Sequence, residues 1–367
     1  MPPISVLIKP ASSACNMNCS YCFYKDVASN RDCFSRGILS TDTAEQIIKR
    51  AFEFASGSCS ILFQGGEPTL AGLDFFKDII EIEKKYSHRG IKVYNALQTN
   101  GFLIDDEWAE FLAANKFLTG ISLDGPADIH NANRKDNNGG GTFNRVMKAC
   151  TVLKKHGAEF NILCVVTPQT VRYVEKIYNF YKKNGFNYLQ FIPCLDSLEY
   201  EQAATESSLT AEEYGEFLVK IYNLWERDFK KGNYISIRHI DNYINMLLGR
   251  GTESCDMCGK CSLQFVAEAD GGIYPCDFYV LDEWRMGSVF EKSFSEMTET
   301  DQARNFIRQS LPVPDECKDC FCYQLCRNGC RRHRNKSGKT VYCEAYKYFF
   351  GKCSNALINI ANSLAVY

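Results

Sequence analysis

Along the first 200 residues, short apolar runs alternate with longer stretches whose apolar positions recur every three to four residues. Residues 5–9, 60–63, 92–99, 119–123, 160–166 and 189–193 read as strands. After the first strand, Ala44, Ile47, Ile48, Ala51, Phe52 and Ala55 fall on one face of a 3.6-residue helix, with Thr41 expected as its cap and Gly57 just past its end. Repeated strand–helix units predict a parallel sheet with right-handed crossovers. Six units are too few to close an eight-stranded barrel, so the expected fold class is α/β, a partial (β/α)6 barrel with its chemistry at the carboxyl ends of the strands. A polar stretch at 196–208 precedes a helix at 211–229, which the run Lys230-Lys231-Gly232-Asn233 ends. The expected domains are a partial barrel at 1–234, a small cysteine-rich domain at 235–348 and a C-terminal helix at 349–367.

Composition changes this picture in one respect. The 367-residue chain is 45% hydrophobic and 23% charged, with a net charge of −2, which gives no global attraction to nucleic acid or to an anionic membrane. No apolar run reaches the length of a spanning helix, and Met-Pro-Pro-Ile-Ser lacks the basic start of an export signal, so a cytoplasmic location is expected. Nineteen cysteines then need a reason. In a reducing compartment clustered thiols bind metal more often than they pair. Eight lie before residue 250, scattered apart from an opening trio, and eleven lie in tight groups after it.

The trio sits in Ala14-Cys15-Asn16-Met17-Asn18-Cys19-Ser20-Tyr21-Cys22. Three thiolates at this spacing can hold three irons of a 4Fe–4S cube and leave the fourth open to a guest, since four protein ligands normally complete such a site. A zinc knuckle lacking its His, or three unrelated thiols, are the plainer readings. The run resembles the signature of the radical S-adenosylmethionine (SAM) enzymes, which implies that SAM chelates the open iron. Gly65-Gly66-Glu67-Pro68 follows the apolar Ile61-Leu62-Phe63; paired glycines admit a ligand close to the backbone. On the resemblance, Gly66 and Glu67 bind the methionine amino group of SAM.

A second constellation holds Cys255, Cys258, Cys261 and Cys276, then Cys317, Cys320, Cys322, Cys326, Cys330 and Cys343. Spacing alone leaves zinc open here, because Cys-x2-Cys pairs serve zinc as well. The pattern Cys317-x2-Cys320-x5-Cys326-x3-Cys330 resembles the SPASM extension of peptide-modifying radical SAM enzymes. That resemblance implies two auxiliary 4Fe–4S clusters, one on Cys255, Cys261, Cys276 and Cys330, the other on Cys317, Cys320, Cys326 and Cys343. Cys258 and Cys322 are then surplus, and Cys33, Cys59, Cys150, Cys164, Cys194 and Cys353 read as buried apolar residues. The basic run Arg327, Arg331, Arg332, His333, Arg334 reads as a solvated face.

Within the radical SAM class the chain is most similar to the anaerobic sulfatase-maturating enzymes, on Phe63-Gln64-Gly65-Gly66-Glu67-Pro68-Thr69, Leu97-Gln98-Thr99-Asn100-Gly101, Ser122-Leu123-Asp124-Gly125-Pro126 and Tyr274-Pro275-Cys276-Asp277-Phe278-Tyr279. The resemblance implies oxidation of a Cys, or sometimes a Ser, in an unfolded sulfatase to Cα-formylglycine. It further implies that Ser122 and Arg134 hold the SAM carboxylate or ribose, that Tyr21 and Leu195 flank the adenosine, and that Asp277 is the general base. If the segment is extended, Asp277 points away from Cys276. Gln64, Asn161, Gln190, Ser236 and Arg238 are candidate contacts to the peptide. The implied cofactors are three 4Fe–4S clusters and SAM. The implied partners are a nascent sulfatase carrying a Cys-x-Pro/Ala-x-Arg-like core and a reducing donor such as flavodoxin or ferredoxin, with the protein itself a monomer. Two rivals stand beside this reading: a SPASM enzyme that makes thioether or carbon–carbon crosslinks in a ribosomal peptide, and a non-catalytic zinc-stabilised peptide-binding module.

Overall fold

The computed structural model describes residues 3–87, 90–198 and 207–365. Its chain forms two compact units, each discontinuous in sequence: 1–123, 130–160 and 263–306 make the first, and 124–129, 161–262 and 307–367 the second. In chain order the strands are β1 (Ile4–Ile8), β2 (Ser58–Phe63), β3 (Lys92–Thr99), β4 (Leu118–Ser122), β5 (Phe160–Val166), β6 (Tyr188–Pro193) and β7 (Ser236–Ile237). Three short ones follow, β8 (Val266–Ala267), β9 (Gly272–Tyr274) and β10 (Gly287–Ser288).

In the first unit the strand order is β10-β9-β8-β1-β2-β3-β4. β1 to β4 are parallel, in the register Val6↔Ile61, Ile61↔Asn95 and Leu97↔Thr119. β8 joins β1 in parallel, and β9 and β10 then run antiparallel. Late chain thus returns to β1 and brings the Cys276–Asp277 segment back to the start of the fold. Helices cover one sheet face through aromatic packing: Phe63 lies 5.0 Å from Phe76, which lies 5.2 Å from Trp108. Each such fully buried ring contributes about 1.5–3 kcal/mol relative to exposure. In the second unit β5, β6 and β7 are parallel, with Leu163↔Gln190 and Leu189↔Ile237.

The expected strands occur, with ends displaced by at most two residues. The first long helix is Thr41–Phe54, and its cap is Ser40 rather than Thr41: Ser40 is extended, and its Oγ accepts from the Thr43 N–H at 3.1 Å. The helix at Ala211–Phe229 opens on a capping box between Thr210 and Glu213. The last helix runs Cys343–Ala365, six residues ahead of the expected start at 349, because Ala345, Tyr346, Phe349 and Phe350 continue its buried face backwards. Residues 199–206 of the expected polar stretch lie outside the described residues. No helix among the described residues is long and apolar enough to cross a membrane.

Candidate active site and cluster ligands

The first unit carries the opening trio on the loop after β1. Two other loops stitch that loop in place. Ser12 and Ala14 accept, through their carbonyls, the N–H groups of Gly66 and Glu67, both at 2.8 Å. On the other side Asn18 N–H donates to the Lys135 carbonyl at 2.8 Å, and Asn137 Nδ2 to the Cys15 carbonyl at 3.1 Å. The closeness at Gly66 is absolute: a Cβ there would lie 2.0 Å from the Ala14 oxygen. Only glycine lets the two loops meet.

Cys15 feels the charges of Cys19 and Cys22, so the three thiols form one group. Its sulfur accepts the Met17 N–H at 3.4 Å and Asn100 Nδ2 at 3.7 Å. Burial pushes the Cys15 thiol up to about 12, against the lowering effect of the Met17 N–H. A metal-free Cys15 is therefore a neutral thiol, and iron binding would displace its proton. Buried donors aimed at a thiol suit a cluster sulfur, whose charge they would stabilise.

Glu67 is buried and fully engaged. Its Oε1 accepts from Thr69 N at 3.0 Å, Thr69 Oγ1 at 2.6 Å and Thr99 Oγ1 at 2.7 Å, and its Oε2 accepts from Asn100 N at 2.7 Å. The carboxylate thus braces the loops after β2 and β3, which leaves the backbone at Gly66 and Glu67 as the part that can meet a ligand. Arg134 is buried with its guanidinium 5.4 Å from the centre of the Tyr21 ring, so these two expected SAM contacts are neighbours. Ser122, at the end of β4, accepts from Gln98 Nε2 at 3.2 Å. Leu195 belongs to the second unit, where it is half-buried.

Asp277 follows Cys276, whose backbone is extended (φ −158°, ψ 148°), and opens a short 3-10 turn. Its Oδ2 accepts from the Tyr24 hydroxyl at 2.5 Å and from Gln64 Nε2 at 3.4 Å. Its Oδ1 makes no hydrogen bond, although Lys9 Nζ lies 3.3 Å away as an ion pair. A buried carboxylate oxygen without a hydrogen bond is rare and calls for a partner. Behind it, Lys9 also lies 4.0 Å from Glu268, which pairs with Arg31 at 2.6 Å. Burial works to raise Glu268, but the Lys9 and Arg31 charges hold it below its ordinary value. Lys9, Tyr24 and Asn100 were not singled out from sequence. Lys9 and Asn100 directly follow β1 and β3, and a polar residue at the carboxyl end of a parallel strand is the signal that points to them.

The auxiliary cysteines fall in two groups within the second unit, with Cys276 carried by the first. Cys330 feels Cys255 and Cys261, and burial pushes it up to about 12. Cys317 feels Cys326, Cys343 and Cys320. Among the described residues no three His, Cys, Asp or Glu side chains converge as ligands of a single ion; a cube, with one thiolate on each iron, asks for a wider spread. The basic run is a solvated face only in part, since Arg332 and Arg334 turn to backbone carbonyls. Arg334 donates to the carbonyls of Asn328, Ser310, Gly259 and Gly329, and Arg332 donates to that of Asp196. Cys33 is exposed, against expectation, whereas Cys59, Cys150, Cys164, Cys194 and Cys353 are buried.

Residues 10–181 match the Radical SAM superfamily and residues 255–321 the SPASM iron–sulfur cluster-binding domain. The fold and the site define a radical SAM enzyme with an auxiliary-cluster extension, requiring a 4Fe–4S cluster and SAM. The chain is 47% identical to the cysteine-type anaerobic sulfatase-maturating enzyme of Clostridium perfringens, across 99% of this chain and 100% of that one. It is 30% identical to the serine-type enzyme of Bacteroides thetaiotaomicron, across 95% and 89%. The solved structure of native anSMEcpe with bound AdoMet and Cp18Cys peptide superposes with a TM-score of 0.94 at 47% identity, covering 99% of this chain and all of the other. The chain belongs to the cysteine-type anaerobic sulfatase-maturating enzymes.

Proposed function

We propose that this protein oxidises a cysteine of a sulfatase-type peptide to Cα-formylglycine, with Asp277 as the base that takes the thiol proton. The observation that carries the assignment of roles is the Asp277 carboxylate: buried, fixed through Oδ2 by Tyr24 and Gln64, and bare of hydrogen bonds at Oδ1. Cysteine rather than serine is the favoured substrate, because identity to the cysteine-type relative far exceeds that to the serine-type one.

Cys15, Cys19 and Cys22 would hold a cluster that, with SAM bound, supplies the hydrogen-abstracting radical, and the auxiliary clusters would supply an electron sink. The protein aims this chemistry. Gly66 and Glu67 offer backbone to the methionine end of SAM, while Arg134, Tyr21, Ser122 and Leu195 take its carboxylate, ribose and adenine. A thiol near pKa 8.5 does not readily give its proton to a carboxylate near 3.9. Loss of hydrogen from Cβ acidifies that thiol, and Asp277 Oδ1, with Lys9 Nζ 3.3 Å away, then accepts the proton. The resulting thioaldehyde hydrolyses to the aldehyde. Asn161, Gln190, Ser236 and Arg238 contact the peptide; Gln190 already accepts from Arg238 at 2.9 Å. The substrate carries a Cys-x-Pro/Ala-x-Arg-like core, a flavodoxin or ferredoxin supplies electrons, and the enzyme works as a cytoplasmic monomer.

The test is anaerobic reconstitution with iron and sulfide, then dithionite, SAM and a peptide with a Cys-x-Pro-x-Arg core. An aldehyde trapped on that cysteine, alongside 5′-deoxyadenosine, is the expected result. Deoxyadenosine without aldehyde would move the substrate to another peptide.

A further inference from the structure

Around the second auxiliary group the chain supplies five thiols for four irons. A 4Fe–4S cube takes one thiolate per iron, and Cys317, Cys320, Cys326 and Cys343 fill that count. Cys322 is the fifth. Its sulfur lies 3.5 Å from Cys320 Sγ, and it feels the charge of Cys326. It is 3% exposed, although the neighbouring Phe321 is 69% exposed. The chain therefore turns one apolar side chain out to solvent and buries a thiol against two ligand sulfurs.

A thiol in that position has one use that a ligand does not. An S–H is a weak donor toward neutral acceptors but gains strength toward an anionic sulfur. Hydrogen bonds to cluster sulfurs stabilise the negative charge added on reduction and so raise the reduction potential. We propose that Cys322 sets the potential of the second auxiliary cluster by donating its S–H to the Cys320 and Cys326 thiolates. No bond to iron forms or breaks, and no electron resides on Cys322.

This proposal rests on the cluster reading above, and the experiment separates the two. The reconstituted full-length protein, Cys322→Ala and Cys322→Ser are compared by iron and sulfide content and by redox titration followed by electron paramagnetic resonance. All three should carry about twelve irons, the count for three cubes. In Cys322→Ala one auxiliary signal should shift to a more negative midpoint while the others stay put. Cys322→Ser, with a stronger O–H donor, should hold that midpoint at or above the native value. An unchanged midpoint in Cys322→Ala would overturn the proposal. So would the loss of about four irons in that variant, which would make Cys322 a ligand. A native protein with only about eight irons would bring down the cluster reading itself, and the proposal with it.

Discussion

Lys9 Nζ stands 3.3 Å from Asp277 Oδ1 without hydrogen-bonding it, so the one unfilled oxygen of the buried carboxylate is held by charge alone. The lysine is itself buried, lies 4.6 Å from the centre of the Tyr24 ring, and is flanked by Glu268. The arrangement sets a cation against Oδ1 and leaves that oxygen without a hydrogen-bond donor.

Replacing Lys9 by Met should therefore harm catalysis more than assembly. A broken buried pair costs about 3–5 kcal/mol, here partly offset because Glu268 keeps Arg31. The expected outcome is a lower melting temperature, retained iron, continued 5′-deoxyadenosine formation and at least a tenfold fall in formylglycine. Lys9→Arg should recover part of the yield. Mass spectrometry of the peptide and chromatography of the nucleoside give the ratio that decides it.

Asp277→Asn preserves shape and the Tyr24 contact but cannot take a proton. General-base catalysis typically contributes ~10²–10⁴-fold, so product formation should fall by about that factor with SAM binding intact. Native formylglycine yield in this variant would remove Asp277 from the proton transfer.

What could be read from sequence was chemistry whose partners are close in sequence. Cys15, Cys19 and Cys22 declare themselves by spacing, Gly66 by a motif, and Asp277 by following Cys276. Tyr24 and Asp277 are 253 residues apart, and their meeting depends on the pairing of β1 with β8, a strand of two residues with no periodicity of its own. The helix starts one residue earlier than expected because Ser40, like Thr41, is a good cap, and only Ser40 has the extended backbone that frees its oxygen. Arg334 departs from the solvated face expected of the basic run because charge density along a chain suggests water, whereas the cup of carbonyls around it exists only after folding.

Gly66→Ala tests the seam between the two loops. Its Cβ would meet the Ala14 oxygen at 2.0 Å and the Ser13 carbonyl carbon at 2.7 Å, both backbone atoms that cannot swing aside. The loops must part, breaking the 2.8 Å bonds from Gly66 to Ser12 and from Glu67 to Ala14. Circular dichroism should be unchanged while SAM affinity, measured by equilibrium dialysis, falls at least tenfold, about 1.4 kcal/mol.

Glu83, in the helix Leu73–Tyr86, gives a pH dependence remote from the chemistry. Burial pushes its carboxyl from 4.5 up to about 7, against the Asn95 amide that donates to it at 2.9 Å. The folded state thus holds this proton more tightly than the unfolded one. Its contribution to stability is complete below pH 4.5 and is lost as pH rises through about 7. The shift corresponds to about 3 kcal/mol. Denaturant titrations should show the native protein weakening across that window, and Glu83→Gln flattening the profile and exceeding native stability at pH 8.

Arg334 joins the loops that carry the auxiliary cysteines. Its guanidinium reaches Ser310 O at 2.6 Å, Gly259 O at 3.0 Å, and Asn328 O and Gly329 O at 3.1 Å each. Gly259 lies between Cys258 and Cys261, Asn328 and Gly329 lie between Cys326 and Cys330, and Ser310 Oγ accepts the Cys261 N–H at 2.9 Å. Arg327, Asn328 and Gly329 are consecutive left-handed residues at φ 47°, 64° and 57°, and the carbonyls of the last two enter that cup. Such a backbone is strained for the two that are not glycine, so the planar fork of donors is what keeps it folded. Arg334→Gln should leave several carbonyls unmet, at about 1–3 kcal/mol each, and the reconstituted protein should fall from about twelve irons toward about four, those of the opening trio. Arg334→Lys separates charge from geometry. A lysine carries the same charge but is a point donor that cannot span four acceptors, so iron content should stay low. Recovery of all three clusters by lysine would show that positive charge beside the clusters, and not the fork, is what they require.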